Sequence, residues 1–574
     1  MATVVWSTQD KIQRVASSLS SNEQNSDDKI KDGPVVMVEP LGEPVAARTR
    51  IWQKSQIVDL DAIATQRSVY DDPETAKLYQ PRDDWENKHR FDPSARWTWR
   101  EEKKLLRKID WKILVFACVA FMSLEIDRIN IQQALTDDFL KDLHITSDDY
   151  NLGNTVFKAA FLCSELPSQL VSKWVGPDRW IPTQMILWSV VAASQYSLTN
   201  RTGFLTCRAL LGILQGGFIP DMILYLSYFY TSRELPLKLS IWWTSAFSAD
   251  IIASFMAFGL LHMRGISGKS GWRWLFLIEG LVSGTLGILA YFMMPASPTQ
   301  TKGILRGKNG WFTEREETII VTRALRDDPS KGTMHNRQPV TPKLLWKSLC
   351  DYHLWPLYAI ALTFSMPMTP PAQYLTLSLK GLGFSTFQTN LLVIPSTALH
   401  IIGMLGITWL SDRTGHLALI AMLAQLWALP ELAALYSLNS QKEPKWSIWA
   451  IVTLLVGYPF PHAIQVGWCS RNSNHVRLRT VSAAMYNMFS QAEGMIASNI
   501  YRSDDAPQYK RGNMQLLAVN CANVFLYIAV FLYYRTVNKR RDNIWNSWTP
   551  EQREDYVKNT KDEGNKRLDF RFEY

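Results

Sequence analysis

Residues 208–220 read Arg-Ala-Leu-Leu-Gly-Ile-Leu-Gln-Gly-Gly-Phe-Ile-Pro, inside an apolar run from Phe204 to Tyr230. The run is long enough to cross a bilayer, whose hydrocarbon core takes about 20 residues of helix. An arginine in such a run must face a water-filled cavity or a partner, and by default it marks a functional site. Gly212 and Gly216 form a small-xxx-small pair that lets a neighbouring helix come close, and Gly217 extends that ridge. One helix thus carries a fixed positive charge near its start and a packing ridge along its middle. That combination suits a protein that holds an anion between packed helices.

The mean hydropathy is slightly negative, but the polarity is confined to blocks at the two ends and the middle. Between the blocks lie runs dense in Leu, Ile, Phe, Trp and Met that read as transmembrane helices. We place them at about 113–131, 152–171, 181–198, 204–230, 239–261 and 274–294, then 354–376, 386–410, 416–437, 447–468, 480–500 and 515–534. The domains that follow are a disordered cytosolic tail (1–96), an interfacial helix (97–112), a six-helix half (113–294), a cytosolic connector (295–350), a second six-helix half (351–534) and a cytosolic tail (535–574). No apolar segment near Met1 has the form of a cleavable signal peptide. Trp97, Leu105, Leu106 and Ile109 recur at helical spacing in a charged field, the pattern of a helix lying under a membrane.

The connector holds ten Lys and Arg against five Asp and Glu, which places it and both termini in the cytosol. The loop with Arg264, Lys269 and Arg273 falls outside and is an exception to that rule. Thr313 followed by Glu316 is a capping box that starts a helix within the connector. The net charge of +9 is topological, and no basic groove interleaved with aromatics points to nucleic acid. The six cysteines have no CxxC spacing, so a disulfide or zinc framework is not expected. No nucleophile–base spacing, metal cluster or phosphate loop appears in the polar blocks, so no enzyme and no cofactor is expected.

Two halves of six joined by a long connector is the layout of the major facilitator fold, an all-α membrane architecture. Asp178-Arg179 ends the turn between spans two and three, and Ser411-Asp412-Arg413-Thr414-Gly415 ends the turn between spans eight and nine. A short acidic-basic turn at matched places in each half is what a parallel repeat predicts.

The motifs Asp127-Arg128-Ile129-Asn130, Glu165-Leu166-Pro167-Ser168 and Arg208 to Pro220 stand in spans one, two and four. Gly271-Trp272-Arg273-Trp274, Ser503 to Pro507 and the tail Gly564 to Arg571 accompany them. On these residues the chain resembles the fungal allantoate permease family, among the anion:cation symporters of the major facilitator superfamily. The details are closest to its branch of alternative sulfate and sulfonate transporters. The resemblance implies plasma-membrane uptake of a small anion coupled to protons, with no other cofactor. In the wider group an arginine in span one and another in span four contact the anion; these fall on Arg128 and Arg208. The group's acid beside the first arginine falls on Asp127, whereas its glutamate seven residues after the second is replaced by Gln215, which cannot titrate.

Each site residue also has a plainer role. Arg128 and Arg208 either hold the substrate or pair with a carboxylate. Asp127 either carries a proton or partners a neighbouring arginine. Glu165, close to Pro167, either couples protons or has a structural role at the span-two interface. Lys158 and Asp250 either pair with each other or line the cavity and tune substrate choice with Gln215. Glu493 is a third unusual mid-span charge, and His400 and His462 are core histidines unless one relays protons. Asp178, Arg179, Asp412, Arg413 and Gly415 read as a cytosolic gate or as ordinary turn residues, and Trp180 directly after Arg179 departs from the family pattern. Trp242, Trp243, Tyr374 and Phe489 are candidates for the cavity wall. The expected working unit is a monomer in a lipid bilayer with a small anionic substrate. An exporter, an uncoupled facilitator or a non-transporting nutrient sensor are the rival expectations.

Overall fold

A computed structural model describes residues 59–574 apart from 74, 75, 77, 78, 82, 84, 232, 233, 330–345, 347, 348, 439–442, 474, 475 and 561–563. Twelve membrane-spanning segments follow one another in two halves. In the first half they are Val115–Ala134, Ser147–Val175, Pro177–Ser194, the pair Arg201–Gln215 and Phe218–Leu226, Leu235–Leu260 and Gly271–Met293. In the second they are the broken set Trp355–Thr363, Thr369–Gln373 and Leu375–Gly381, then Thr386–Leu392 with Ile394–Thr414, Leu417–Ser437, Lys445–Val456 with His462–Asn472, Val476–Ala497 and Lys510–Ser547. Among the described residues, six of these are long and apolar enough to cross a membrane by length and composition alone: spans four, five, six, eight, nine and twelve. Spans one and two carry internal charges, and spans seven and ten are broken into shorter helices. Large apolar side chains face outward, including Trp174, Val190, Phe255, Ile402 and Phe525, as a lipid-covered bundle requires.

The pairing of helices repeats between the halves. Span three packs on six and span one on five; their counterparts nine on twelve and seven on eleven do the same. Spans two and eleven, and five and eight, form the seam between the halves. At the start of span three Gly176 has φ +96°, and before span nine Gly415 has φ +72°, a region open to glycine at little cost. The two matched turns therefore share a backbone device as well as a charge pattern. The packing ridge of span four is used as its spacing predicts. A Cβ on Gly212 would stand 2.4 Å from the Phe157 carbonyl, and one on Gly216 would stand 2.6 Å from that of Phe161.

The segment before span one differs from the sequence expectation. Trp99–Ile109 is helical and capped by Thr98 with Glu101, but it runs through a π turn, Asp110–Leu114, into span one. Its apolar face, Leu105 and Ile109, is buried in one cluster with Ile319, Ile320 and Leu325 of the connector helix Glu314–Asp327. Lys108 pairs with Glu316 at 2.7 Å across the same contact. Protein, not lipid, covers that face.

The described residues of 59–96 are not a loose tail either; the part of the expected tail before them, 1–58, lies outside the described residues. Ala64 and Trp97 exchange a backbone hydrogen bond with Ala64 N–H donating at 2.8 Å, and Trp99 N–H donates to Ala62 at 3.1 Å. Arg326 of the connector helix reaches both oxygens of Asp71, at 2.8 and 2.6 Å, and the carbonyls of Gln66 and Pro93. This strap and the connector helix close the base of the first half.

Candidate functional site

A cavity of about 410 Å³ lies between the halves. Arg128, Asn154, Lys158 and Arg208 face it from spans one, two and four; Asp250 from span five; Thr369 and His400 from spans seven and eight. Tyr150, Phe157, Phe247, Tyr458 and Phe460 are its aromatic walls. The aromatics named from sequence lie elsewhere. Trp242 is stacked on Phe121 inside the first half and Trp243 meets the same ring edge-on. Phe489 stacks on Tyr358, and Tyr374 belongs to the seal described below.

Phe157 organises the positive wall. The Arg208 guanidinium lies over its ring, 4.5 Å from the centroid, and the Arg128 guanidinium lies 5.9 Å from the same centroid and 5.0 Å from that of Phe161. Aromatic faces hold such cations in place without neutralising them. Arg208 Nη2 donates to Asn154 Oδ1 at 2.9 Å, whereas its Nε has no partner. Arg128 donates through Nη1 to Glu125 Oε1 at 2.7 Å and through Nε to Gln215 Oε1 at 3.1 Å, and its Nη2 has no partner. Gln215 is therefore a neutral acceptor that orients Arg128, and Glu125 is the carboxylate that pairs with its charge. Two guanidiniums on one wall, each with an unused donor, form a fork suited to a carboxylate or a sulfonate.

Asp127 is not the partner of an arginine. Its Oδ2 accepts from Trp188 Nε1 at 3.1 Å and its Oδ1 has no partner, both inside the first half. Adjacent residues on a helix point about 100° apart, so Arg128 can enter the cavity while Asp127 turns from it. Lys158 does not pair with Asp250. Its ammonium donates to the Gly494 carbonyl at 2.8 Å and to Ser498 Oγ at 3.2 Å, across the seam between halves. Glu493, beside it, accepts from Thr369 Oγ1 at 3.1 Å. Glu165 lies two residues before Pro167 and outside the cavity lining. His400 lines the cavity between Phe247, Tyr458 and Phe460, while His462 is packed among Phe364, Phe460 and Tyr486.

Asp178 occupies the first turn of span three. Arg179 and Arg413 are exposed, and Arg413 lies over Trp409 at 5.5 Å. The side chain of Asp412 lies outside the described residues. Glu279 was missed from sequence. It interrupts the apolar run of span six just as Asp250 interrupts span five, so the same signal marked it. Asn154, the anchor of Arg208, carried no signal, because a single asparagine in a span has many uses.

Among the described residues, the hydrogen bonds that join the halves all lie from the level of Lys158 toward the end away from the connector. There Asn151 Nδ2 donates to the Tyr501 carbonyl, Tyr374 Oη donates to Asn151 Oδ1 and Lys380 Nζ donates to the Thr136 carbonyl, all at 2.6 Å. That end is sealed over the cavity.

The sequence pattern of the Major Facilitator Superfamily matches residues 114–498. The chain belongs to this superfamily. It is 42% identical to the uncharacterized transporter YIL166C of Saccharomyces cerevisiae over 92% of this chain and 98% of that protein. It is 26% identical to the MFS-type transporter efuF of Hormonema carpetanum over 76% of this chain and 86% of that protein. In fold it is similar to the Escherichia coli xylose transporter XylE in a partially occluded inward-open conformation, with a TM-score of 0.54 and 12% identity over 74% of this chain and 97% of that one. A bacterial homolog of the human lysosomal transporter Spinster, inward-facing, gives a TM-score of 0.57 and 14% identity over 73% of this chain and 97% of that one. The molecule is thus a Major Facilitator Superfamily membrane transporter, not an enzyme, with two six-helix halves around a central cavity.

Proposed function

We propose that this superfamily member takes up a small anion with protons across the plasma membrane, by alternating access between its halves, with both termini in the cytosol. The observation that carries the reading is the pair Arg128 and Arg208, flanking Phe157 on one wall of the inter-half cavity with an unpartnered donor each. An oxyanion placed between them satisfies those donors and is repaid in a low-dielectric site. The resemblance to the allantoate permease family, and within it to sulfate and sulfonate transporters, favours sulfur-containing anions over vitamin acids. With the connector in the cytosol, the sealed end is extracellular and the described state faces inward. Asp178, Arg179, Asp412 and Arg413 then stand at the cytosolic mouth, where their charges bridge helix ends in the opposite state.

The test is uptake of labelled sulfate by cells without their own sulfate permeases, with ethanesulfonate, taurine, allantoate, nicotinate and pantothenate as competitors and a protonophore control. Saturable uptake that sulfonates block and the protonophore abolishes is the expected result. No uptake above the empty vector, with the protein at the cell surface, defeats the sulfur-anion assignment. Gln215 favours a second reading, an uncoupled facilitator, because a neutral acceptor stands where a titratable one would serve. Uptake that survives the protonophore would select it.

A further inference from the structure

Asp250 stands in the middle of span five and, among the described residues, is the one acidic side chain that lines the central cavity. It is half-buried. Its backbone carbonyl takes the Ser254 hydroxyl at 2.8 Å, but its carboxylate has no hydrogen bond and no ion pair among the described residues. The cations of the cavity are engaged elsewhere. Lys158 is seated across the seam on Gly494 and Ser498. Arg128 is paired with Glu125 and held by Gln215. Arg208 lies over Phe157 and donates to Asn154. A mid-span carboxylate is costly unless something pairs with it, and where the protein offers no cation the ligand path is the remaining source.

The surroundings of Asp250 suit a cation. Phe247, one helical turn before it, shares its face of span five. The Phe247 ring packs on His400 at 5.1 Å and on Phe460 at 6.3 Å between centroids. Tyr458 meets His400 at 5.3 Å and Phe460 at 5.9 Å. All four rings line the cavity together with Asp250. Aromatic faces and a carboxylate attract the same charge, so the combination suits an ammonium group. The arginine wall is the reverse, with two guanidiniums around Phe157 that each keep an unused donor. The cavity, about 410 Å³, leaves room for a ligand that reaches both.

We propose that the ligand is a zwitterion. Its sulfonate or carboxylate lies on Arg128 and Arg208, and an ammonium of the same molecule lies on Asp250 among Phe247, Tyr458 and Phe460. The proposal rests on the anion reading above and names the substrate class of that site. Asp250 is then the residue that separates amino-sulfonates and amino-carboxylates from plain anions. It attracts a cationic end and opposes a second negative charge at the same place. Sulfate and ethanesulfonate fill the arginine side alone.

Isothermal titration calorimetry on the purified full chain tests this with two matched pairs, taurine against ethanesulfonate and β-alanine against propionate. Within each pair the ligands differ by one ammonium. Wild type should bind the amino member about tenfold or more tightly in at least one pair, the value of a hydrogen bond to a charged group. Asp250→Asn, nearly the same in shape, should bring that ratio to about one, and Asp250→Glu should restore part of it. Arg208→Ala should weaken both members alike. Equal wild-type affinities within both pairs overturn the proposal and leave the anion reading standing, and that comparison depends on no variant. A ratio that survives in folded Asp250→Asn puts the ammonium elsewhere and overturns the proposal too. Binding of none of the four overturns the anion reading and the proposal with it.

Discussion

The ammonium of Lys158 in the first half is seated on the Gly494 carbonyl of the second, 2.8 Å away, and a Cβ on Gly494 would stand 2.4 Å from that nitrogen. A mid-span charge is thus satisfied across the seam, and a side chain at 494 would push against the ammonium. Gly494→Ala should displace the ammonium and loosen the sealed end. A charge-assisted hydrogen bond is worth about 1.5–3 kcal/mol, so the balance between states should shift about tenfold or more toward opening. Thr376, 4% exposed within the seal, where its hydroxyl donates to the Gln132 carbonyl of the first half, reports this by comparison with the Thr376→Cys variant alone. A Thr376→Cys reporter should react faster with an impermeant maleimide when Gly494→Ala is added. An unchanged rate would show that the seat does not hold the seam.

Arg208→Lys is predicted to be nearly as damaging as Arg208→Ala. Lysine keeps the charge but loses the planar fork, the stacking on Phe157 and the set of donors shared between Asn154 and a ligand. A loss of about tenfold to a hundredfold in kcat/KM for sulfate uptake is expected, from the value of a hydrogen bond to a charged group. Wild-type kinetics in Arg208→Lys would mean that the arginine serves only as a positive charge.

Arg326→Ala should destabilise the protein without touching substrate affinity. Its side chain is 4% exposed and binds Asp71, whose side chain is 10% exposed. Asp71 keeps Arg96 at 3.4 Å and the Ser68 N–H at 2.8 Å, so the cost is that of the lost charge-assisted hydrogen bonds, about 1.5–3 kcal/mol. The measurements are thermal unfolding in detergent and the KM for uptake. The first should fall clearly and the second should stay; a fall in neither would show that the strap is not held by this pair.

The same strap shows where sequence was silent. Asp71 and Arg326 are 255 positions apart, and neither lies in a pattern that names a partner. Polar composition made residues before Trp97 read as a tail, yet Tyr70, Trp85 and Trp97 are buried. The spans were legible because apolar length is a local property, and the capping box at Thr313 and Glu316 is local as well. The halves were legible through the matched turns at Gly176 and Gly415. The positive wall was legible as residue types, Arg128 and Arg208, because a charge in hydrocarbon cannot be idle. Which way each charge turns was not legible. Lys158 crosses to Gly494 instead of meeting Asp250, and Asp127 turns to Trp188 instead of an arginine. Those choices depend on helix rotation and the seam between the halves, which only packing fixes.

At the base of the second half, His353 clasps the C-terminal residues. His353, just before span seven, contacts Tyr533 Oη through Nδ1 at 2.9 Å, and Arg541 Nη2 approaches its Nε2 at 3.5 Å. Its ring lies 5.0 Å from that of Phe572, and Arg541 also donates to the Phe570 carbonyl at 3.1 Å. Asn538 receives the Phe572 N–H at 2.9 Å and donates to the Phe572 carbonyl at 2.8 Å, so the C-terminal residues are docked on this histidine. Burial, then Arg541 and Lys566, lower the imidazole from its ordinary 6.5 to about 4. The docked state therefore refuses a proton that the undocked state binds between those values, and docking weakens as pH falls through about 6.5 toward 4. Above that window both states are neutral and the clasp is fully in place. A fluorophore at the C-terminus should gain mobility on acidification from neutral pH, and His353→Gln should flatten that response. An identical pH profile in His353→Gln would assign the release to another group, with Asp351, which binds Asn565 at 2.7 Å in the same clasp, the next to replace.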